Sequence, residues 1–253
     1  MLLAFDLDGT LVTRSRQLPD PIISAIEQAR SRGHLITVIT GRNQRSAAPF
    51  LQRLKVEAEY GTCQGARVHG PGNAHHSELT LHPSLVHELL DRYLDNFGDQ
   101  FYLSGSEGLY VHHPQLESWD WARNEGQGVQ SFDQVGQATI HKAVFSRREP
   151  LAEIQRAHPD LTYYPWDPEP HFEVLPQGGN KGEALALLCR ILSVSREDTV
   201  AFGDGNNDIS MLQWAGHGVG VGQVATSLLP VTDELIPAPE QLGVATWIRE
   251  NLL

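Results

Sequence analysis

Apolar runs alternate with amphipathic stretches at both ends of the chain, and the middle follows a different rhythm. Leu2 to Asp6 is a short apolar run that ends in acid, as a buried strand ends at a sheet edge. Asp20 stands where it can cap a helix with Pro21 at its first position and Gly33 just past its end. Ile22, Ile23, Ile26 and Ala29 give that helix one apolar face. Leu35 to Ile39 is a second strand, Gln44 to Leu54 a second helix, and Glu59 to Cys63 a third strand. A β-α-β-α-β order of this kind implies right-handed crossovers and a doubly wound, mostly parallel sheet.

From Leu85 the spacing Leu85, Leu89, Leu90, Tyr93, Leu94, Phe97 predicts a helix. Phe101-Tyr102-Leu103 and Leu109-Tyr110-Val111 then flank the turn-rich segment from Ser104 to Gly108, a hairpin signal. Further strands are expected at His141–Ser146, Leu161–Trp166 and Phe172–Leu175, with a helix from Glu149 to His158. The α/β alternation returns with a helix from Asn180 to Leu192, a strand at Thr199–Phe202 and a helix after Asn207. A strand at His217–Val221 and a closing helix from Gln241 to Leu252 complete it. The expected architecture is an α/β core from residues 1–81 and 178–253, interrupted by an α+β insert at 82–177.

Composition narrows the partners. The 253 residues are 40% hydrophobic and 20% charged, with a net charge of −12 and no block of like charge. Such a chain is poorly suited to nucleic acid or an anionic membrane, and no apolar run is long enough to span a bilayer. The N-terminal run has no basic flank and meets Asp6 early, unlike a signal peptide. Cys63 and Cys189 stand far apart with no CxxC spacing. A cytoplasmic protein with a small-molecule partner is the expectation.

Four segments carry candidate chemistry. In Asp6-Leu7-Asp8-Gly9-Thr10, residues i and i+2 at a strand end project to one side, so both carboxylates can face one site. Asp8-Gly9 is also a common turn pair. Thr40-Gly41-Arg42 follows the second strand directly; a hydroxyl and backbone N–H groups there suit a phosphate oxygen, and a plain strand-to-helix turn suits them equally. Asn180-Lys181-Gly182 opens a helix, where an ammonium opposes the helix dipole. Only three lysines (55, 142 and 181) stand against sixteen arginines, so this one should have a reason to be there; neutralising a phosphate or a carboxylate is one, and a solvated surface lysine is the default for any lone lysine. Gly203-Asp204-Gly205-Asn206-Asn207-Asp208 offers hard oxygen donors in a tight turn, the ligands Mg²⁺ takes. An EF-hand is ruled out because Ile209 stands where that loop needs Gly and Ala215 where it needs Glu.

Together, Asp6, Asp8, Asp204 and Asp208 would repel without a cation, and a divalent metal with Lys181 would offset them. A nucleophilic carboxylate, a second carboxyl as acid and base, a metal and a lysine describe phosphoryl transfer through an aspartyl phosphate. In order, these segments resemble the four motifs of the haloacid dehalogenase (HAD) superfamily phosphatases. The insert is similar to the type IIB cap of the Cof-like and sucrose-phosphatase-like branch, and Leu175 to Gly182 resembles that branch's third-motif region. Gln64-Gly65-Ala66 departs from it, since the branch often has Asn-Gly-Ala there.

The resemblance implies that Asp6 attacks phosphorus and binds Mg²⁺. It implies that Asp8 protonates the leaving oxygen and then activates water, its backbone carbonyl binding metal. Thr40, Gly41 and Lys181 would hold phosphoryl oxygens; Asp204 and Asp208 would ligate Mg²⁺, directly or through water for Asp208, with Asn207 nearby. The expected activity is Mg²⁺-dependent hydrolysis of a small phosphorylated metabolite, a sugar phosphate first, with the insert closing over the core to select the leaving group. A phosphomutase or phosphotransferase shares the motifs, and a non-catalytic phosphometabolite sensor is the reading from another class. His171 and Glu173 are the candidate substrate contacts of the insert, with core or edge packing of its sheet as the competing reading for residues of that stretch. The histidine pairs at 75–76 and 112–113 lack zinc-site spacing, and Gln223 breaks the GxGxxG that Gly218, Gly220 and Gly222 begin.

Overall fold

Alternation of side chains along Leu2–Phe5 (β1) sends Leu2 and Ala4 to one face of a sheet and Leu3 and Phe5 to the other, and all four are buried. The computed structural model describes residues 1–72, 74–136, 138–166, 169–224 and 226–253. After β1 come α1 (Asp20–Ser31), β2 (Leu35–Val38), α2 (Gln44–Leu54), β3 (Tyr60–Thr62), β4 (Arg67–His69) and β5 (His75–Glu78). The insert carries α3 (Pro83–Phe97), β6 (Phe101–Gly105), β7 (Gly108–Val111), α4 (Asp120–Asn124), β8 (Val129–Ser131), β9 (Ile140–Phe145), α5 (Leu151–Ala157), β10 (Thr162–Pro165) and β11 (Phe172–Leu175). The chain returns through α6 (Lys181–Leu192), β12 (Thr199–Gly203), α7 (Ile209–Trp214), β13 (His217–Val221), β14 (Glu234–Ile236) and α8 (Gly243–Leu252).

Two compact units result. The first comprises Met1–Gly41, Ala48–Ser77 and Asn180–Leu253; the second comprises Arg42–Ala47 and Glu78–Gly179. The first is built on a five-stranded parallel sheet, order β14-β13-β12-β1-β2. On one face Leu2, Ala4 and Ala201 pack with Leu185, Leu188, Met211 and Leu212 of α6 and α7. In the same sheet Phe5 stacks on Phe202 with ring centroids 4.7 Å apart, and Trp247 of α8 meets Phe202 edge-on at 5.0 Å.

The second unit has a six-stranded sheet, order β10-β11-β9-β6-β7-β8, antiparallel except where β8 runs parallel to β7. Leu85, Val86, Leu89 and Tyr93 of α3 and Ile154 of α5 cover the face that carries Phe101, Phe145 and Phe172. Arg42–Ala47 belongs to this unit because Asn43 Nδ2 donates to Gln127 Oε1 at 2.6 Å and Arg42 pairs with Glu125 at 3.5 Å.

Three local expectations are corrected. The strand expected at Glu59–Cys63 does not extend the parallel sheet as a ladder. The backbone turns left-handed at Cys63 and Gln64, so β3 folds back onto β4 in an antiparallel sheet with β5; a single bridge, Ile39 to Gly61, ties it to the chain leaving β2. Pro19, not Asp20, occupies the N-cap position of α1 and makes no side-chain capping bond, and the Asp20 carboxylate instead receives Arg53 at 2.8 Å. The hairpin turn is Ser106-Glu107 alone, since pairing continues to Gly105 and Gly108.

Candidate active site

Parallel register brings three loops to one edge of the first unit. Phe5 lies opposite Val38 and Phe202, so the chain leaves β1 at Asp6, β12 at Asp204 and the β2 strand at Thr40, all at the carboxyl ends of adjacent strands. In open α/β sheets that is where ligands bind. Asp6 N–H still donates to Phe202 O at 3.0 Å, which fixes its side chain beside the β12 loop.

Lys181 closes the group. Asn180 caps α6 by accepting Glu183 N–H at 2.9 Å, and Gly182 N–H donates to Ser210 Oγ at 3.1 Å, which sets the helix start against the α7 segment. The Lys181 ammonium is fully buried and donates to Asp6 Oδ1 at 2.5 Å and to Asp208 Oδ1 at 2.6 Å. Asp208 Oδ2 accepts the N–H groups of Asp204 and Gly205, each at 3.0 Å, so this one carboxylate shapes the β12 loop and seats the lysine. Oxygen atoms of Asp6, Asp204 and Asp208 lie within 4.8 Å of one another.

Burial raises the Asp6 carboxyl well above the ordinary carboxylate range, Asp208, Asp204 and Asp8 push it the same way, and Lys181 opposes them. Asp204 is raised to about 7, by burial first and Asp208 next. Burial works against the Lys181 charge, but Asp208 and Asp6 outweigh it and its pKa rises. One ammonium thus faces three carboxyls. The cluster is short of positive charge, and its hard oxygens are the donor set a divalent cation takes.

Asp8 is exposed on the turn after β1, and its side chain stands outside that cluster. Its charge is nonetheless felt at both Asp6 and Asp204. Thr40 is buried, with its N–H on Gly61 O at 3.0 Å, and Gly41 follows it at the same edge. Asn207 Nδ2 donates to Gln64 Oε1 at 3.0 Å. In the second unit, Glu173 is buried and paired with Lys142 at 2.7 Å, while the partly exposed His171 stacks on Trp166 and pairs with Glu169 at 3.2 Å.

Two residues named in the sequence, Thr10 within the first motif and Gln64 as a departure from the family pattern, have supporting roles that the sequence did not announce. Thr10 Oγ1 donates to Asp204 Oδ1 at 3.2 Å, and the turn that allows it needs Gly9: φ is +83° there, and a Cβ would run into the Asp204 carboxylate. The signal was present in the motif, yet nothing in the spacing said that Thr10 would face a residue 194 positions away. Gln64 is the other.

Comparison with known proteins places the chain in a family. The family model described as haloacid dehalogenase-like hydrolase matches residues 3–248. An HMP-PP phosphatase of Serratia proteamaculans (strain 568) is 29% identical over 265 residues, covering 99% of this chain and 95% of its own. The pyridoxal phosphate phosphatase YbhA of Escherichia coli (strain K12) is 26% identical over 272 residues, covering 100% and 98%. Among solved structures, the HAD subclass IIB sugar phosphatase BT4131 superposes with a TM-score of 0.84 at 22% identity, covering 98% of each chain, which speaks to the fold. The chain belongs to the haloacid dehalogenase-like hydrolases and is a HAD-type phosphatase. Among the described residues, no helix is long and apolar enough to cross a membrane.

Proposed function

We propose that the protein hydrolyses a small phosphorylated metabolite through an aspartyl phosphate on Asp6, with Mg²⁺ at Asp6, Asp204 and Asp208. The observation that carries this reading is the cluster of Asp6, Asp204 and Asp208 oxygens around a buried Lys181 that donates to Asp6. When bound, the cation would neutralise carboxylate and phosphoryl charge together. Lys181, Thr40 and the N–H groups at Gly41 would hold the phosphoryl oxygens.

In the first step an Asp6 oxygen forms a bond to phosphorus as the bond to the leaving oxygen breaks, and the Asp8 carboxyl gives that oxygen its proton. In the second, the Asp8 carboxylate takes a proton from water, whose oxygen attacks phosphorus. Asp6 is released and inorganic phosphate leaves. The exposed position of Asp8 suits a group that exchanges protons twice. Asp208, whose oxygens already accept hydrogen bonds from Lys181, Asp204 and Gly205, would help hold the cation directly or through water.

Residues 82–177 are assigned to selection of the leaving group, with His171 and Glu173 as its contacts. A sugar phosphate is the first substrate class. A phosphorylated heterocycle is the second, favoured by the relative named for pyridoxal phosphate. The test is inorganic phosphate release from sugar phosphates, heterocyclic phosphates, nucleotides and an aryl phosphate, with Mg²⁺ and with chelator. Metal-dependent release supports the reading, and the rank order decides between the two classes. A folded, Mg²⁺-supplied protein that releases no phosphate from any of them would overturn it.

A further inference from the structure

The turn at 63–65 meets three of the segments that build the candidate site yet has no part in the chemistry proposed above. Cys63, Gln64 and Gly65 have φ of 51°, 60° and 86°, three successive residues in the left-handed region, and only the last is glycine. L-residues avoid that region, and a buried pair of them there is a strained conformation that the surroundings must enforce. Both side chains are buried, Gln64 at 3% exposure.

The strain aims the Gln64 side chain. Its backbone N–H donates to Thr40 O at 2.9 Å, and its amide lies against Gly41 so closely that a Cβ on residue 41 would fall 2.6 Å from Nε2. The other end of the amide, Oε1, accepts from Asn207 Nδ2 at 3.0 Å. Gly65 rests on the carbonyl of Asn180, the residue before Lys181; a Cβ there would fall 2.6 Å from that oxygen. The turn therefore meets the loop after β2, the loop after β12 and the start of α6.

We propose that Gln64 is a positioning residue whose amide spaces the Thr40-Gly41 loop against the Asn207 loop, with the left-handed turn holding that amide in place. The inference rests on the phosphatase reading of the site and adds a residue to it. Small displacements of groups that hold a reacting phosphate cost rate steeply, so an amide that sets loop spacing acts on catalysis without touching phosphorus.

Gln64→Met keeps the side chain's length and the backbone strain while removing its hydrogen bonds. Gln64→Gly removes the amide and relieves the strain. Both are expected to lower kcat/KM for an aryl phosphate roughly 10- to 100-fold and to weaken inhibition by inorganic phosphate, although only Gln64→Gly relieves the backbone strain. Combined with Asn207→Ala, the loss in Gln64→Met should fall short of the product of the single losses, because the two residues share one contact. Parent-like kcat/KM and phosphate inhibition in Gln64→Met, or losses that multiply with Asn207→Ala, would overturn the inference while leaving the phosphatase reading intact. A parent protein inactive toward all phosphate esters would overturn that reading itself.

Discussion

Lys181 Nζ lies 2.5 Å from Asp6 Oδ1, joining the first turn of α6 to the end of β1 across 175 positions of sequence. Neither group has solvent to fall back on, since both are buried. Replacing Lys181 by Met leaves Asp6 and Asp208 facing each other without a counter-charge. Removing one partner of a buried pair costs about 3–5 kcal/mol, so Lys181→Met should unfold at clearly lower urea in chelator at neutral pH. Added Mg²⁺ should recover part of the loss. Inhibition by inorganic phosphate should weaken in the same variant.

Asp6→Asn keeps the size of the side chain and removes the nucleophile. Turnover of an aryl phosphate is expected to fall about 10³-fold or more, with the circular dichroism spectrum unchanged. In chelator its Tm should rise, because one of three crowded carboxyls has gone. Retained turnover would end the covalent mechanism.

The acid cluster also predicts a pH signature. Asp204 titrates at about 7 in the metal-free fold against an ordinary value of 3.8. Between those values the folded protein keeps a proton that the unfolded chain has released, so this group makes stability fall as pH rises through that window. Asp204→Asn removes the effect. In chelator, the Tm of the variant minus that of the parent should therefore grow from pH 4 to pH 7, and Mg²⁺ should shrink it. A difference independent of pH would contradict the electrostatic account.

Glu173 and Lys142 allow a structural role to be separated from a substrate role. Both belong to the second unit, and in their ion pair the Lys142 side chain is 7% and the Glu173 side chain 1% exposed. Glu173→Gln takes one carboxylate away from a buried ammonium and should cost about 3 kcal/mol or more, whereas Lys142→Met combined with Glu173→Leu should come closer to the parent. Urea unfolding measures both. If Glu173 also contacts the leaving group, the stable double variant will reorder the substrate panel.

Much of the first unit was legible because its signals are local. The β-branched run at Leu35–Val38, the helix from Gln44 to Leu54 and the strand at His217–Val221 announce themselves by periodicity and by the glycines and prolines around them. The strands that were missed are short or weakly apolar: β5, beside β4 at the end of a first-unit segment, reads His-His-Ser-Glu, and β8, in the second unit, is three half-buried residues that pair with β7. Such strands exist only because a partner edge is there to bond them.

The sequence by itself determined which residue types could carry phosphoryl transfer and that they fall where strands end, because an acid two residues from another and a lysine at a helix start are chain-local facts. It could not determine which of those groups meet. That Lys181 bridges Asp6 and Asp208, that Thr10 holds Asp204 and that Gln64 spans Gly41 and Asn207 depends on parallel register between strands far apart in the chain. The carboxyl charge is likewise a tertiary property: Asp204 rises to about 7 because folding buries it beside Asp208. No spacing along the chain encodes that burial.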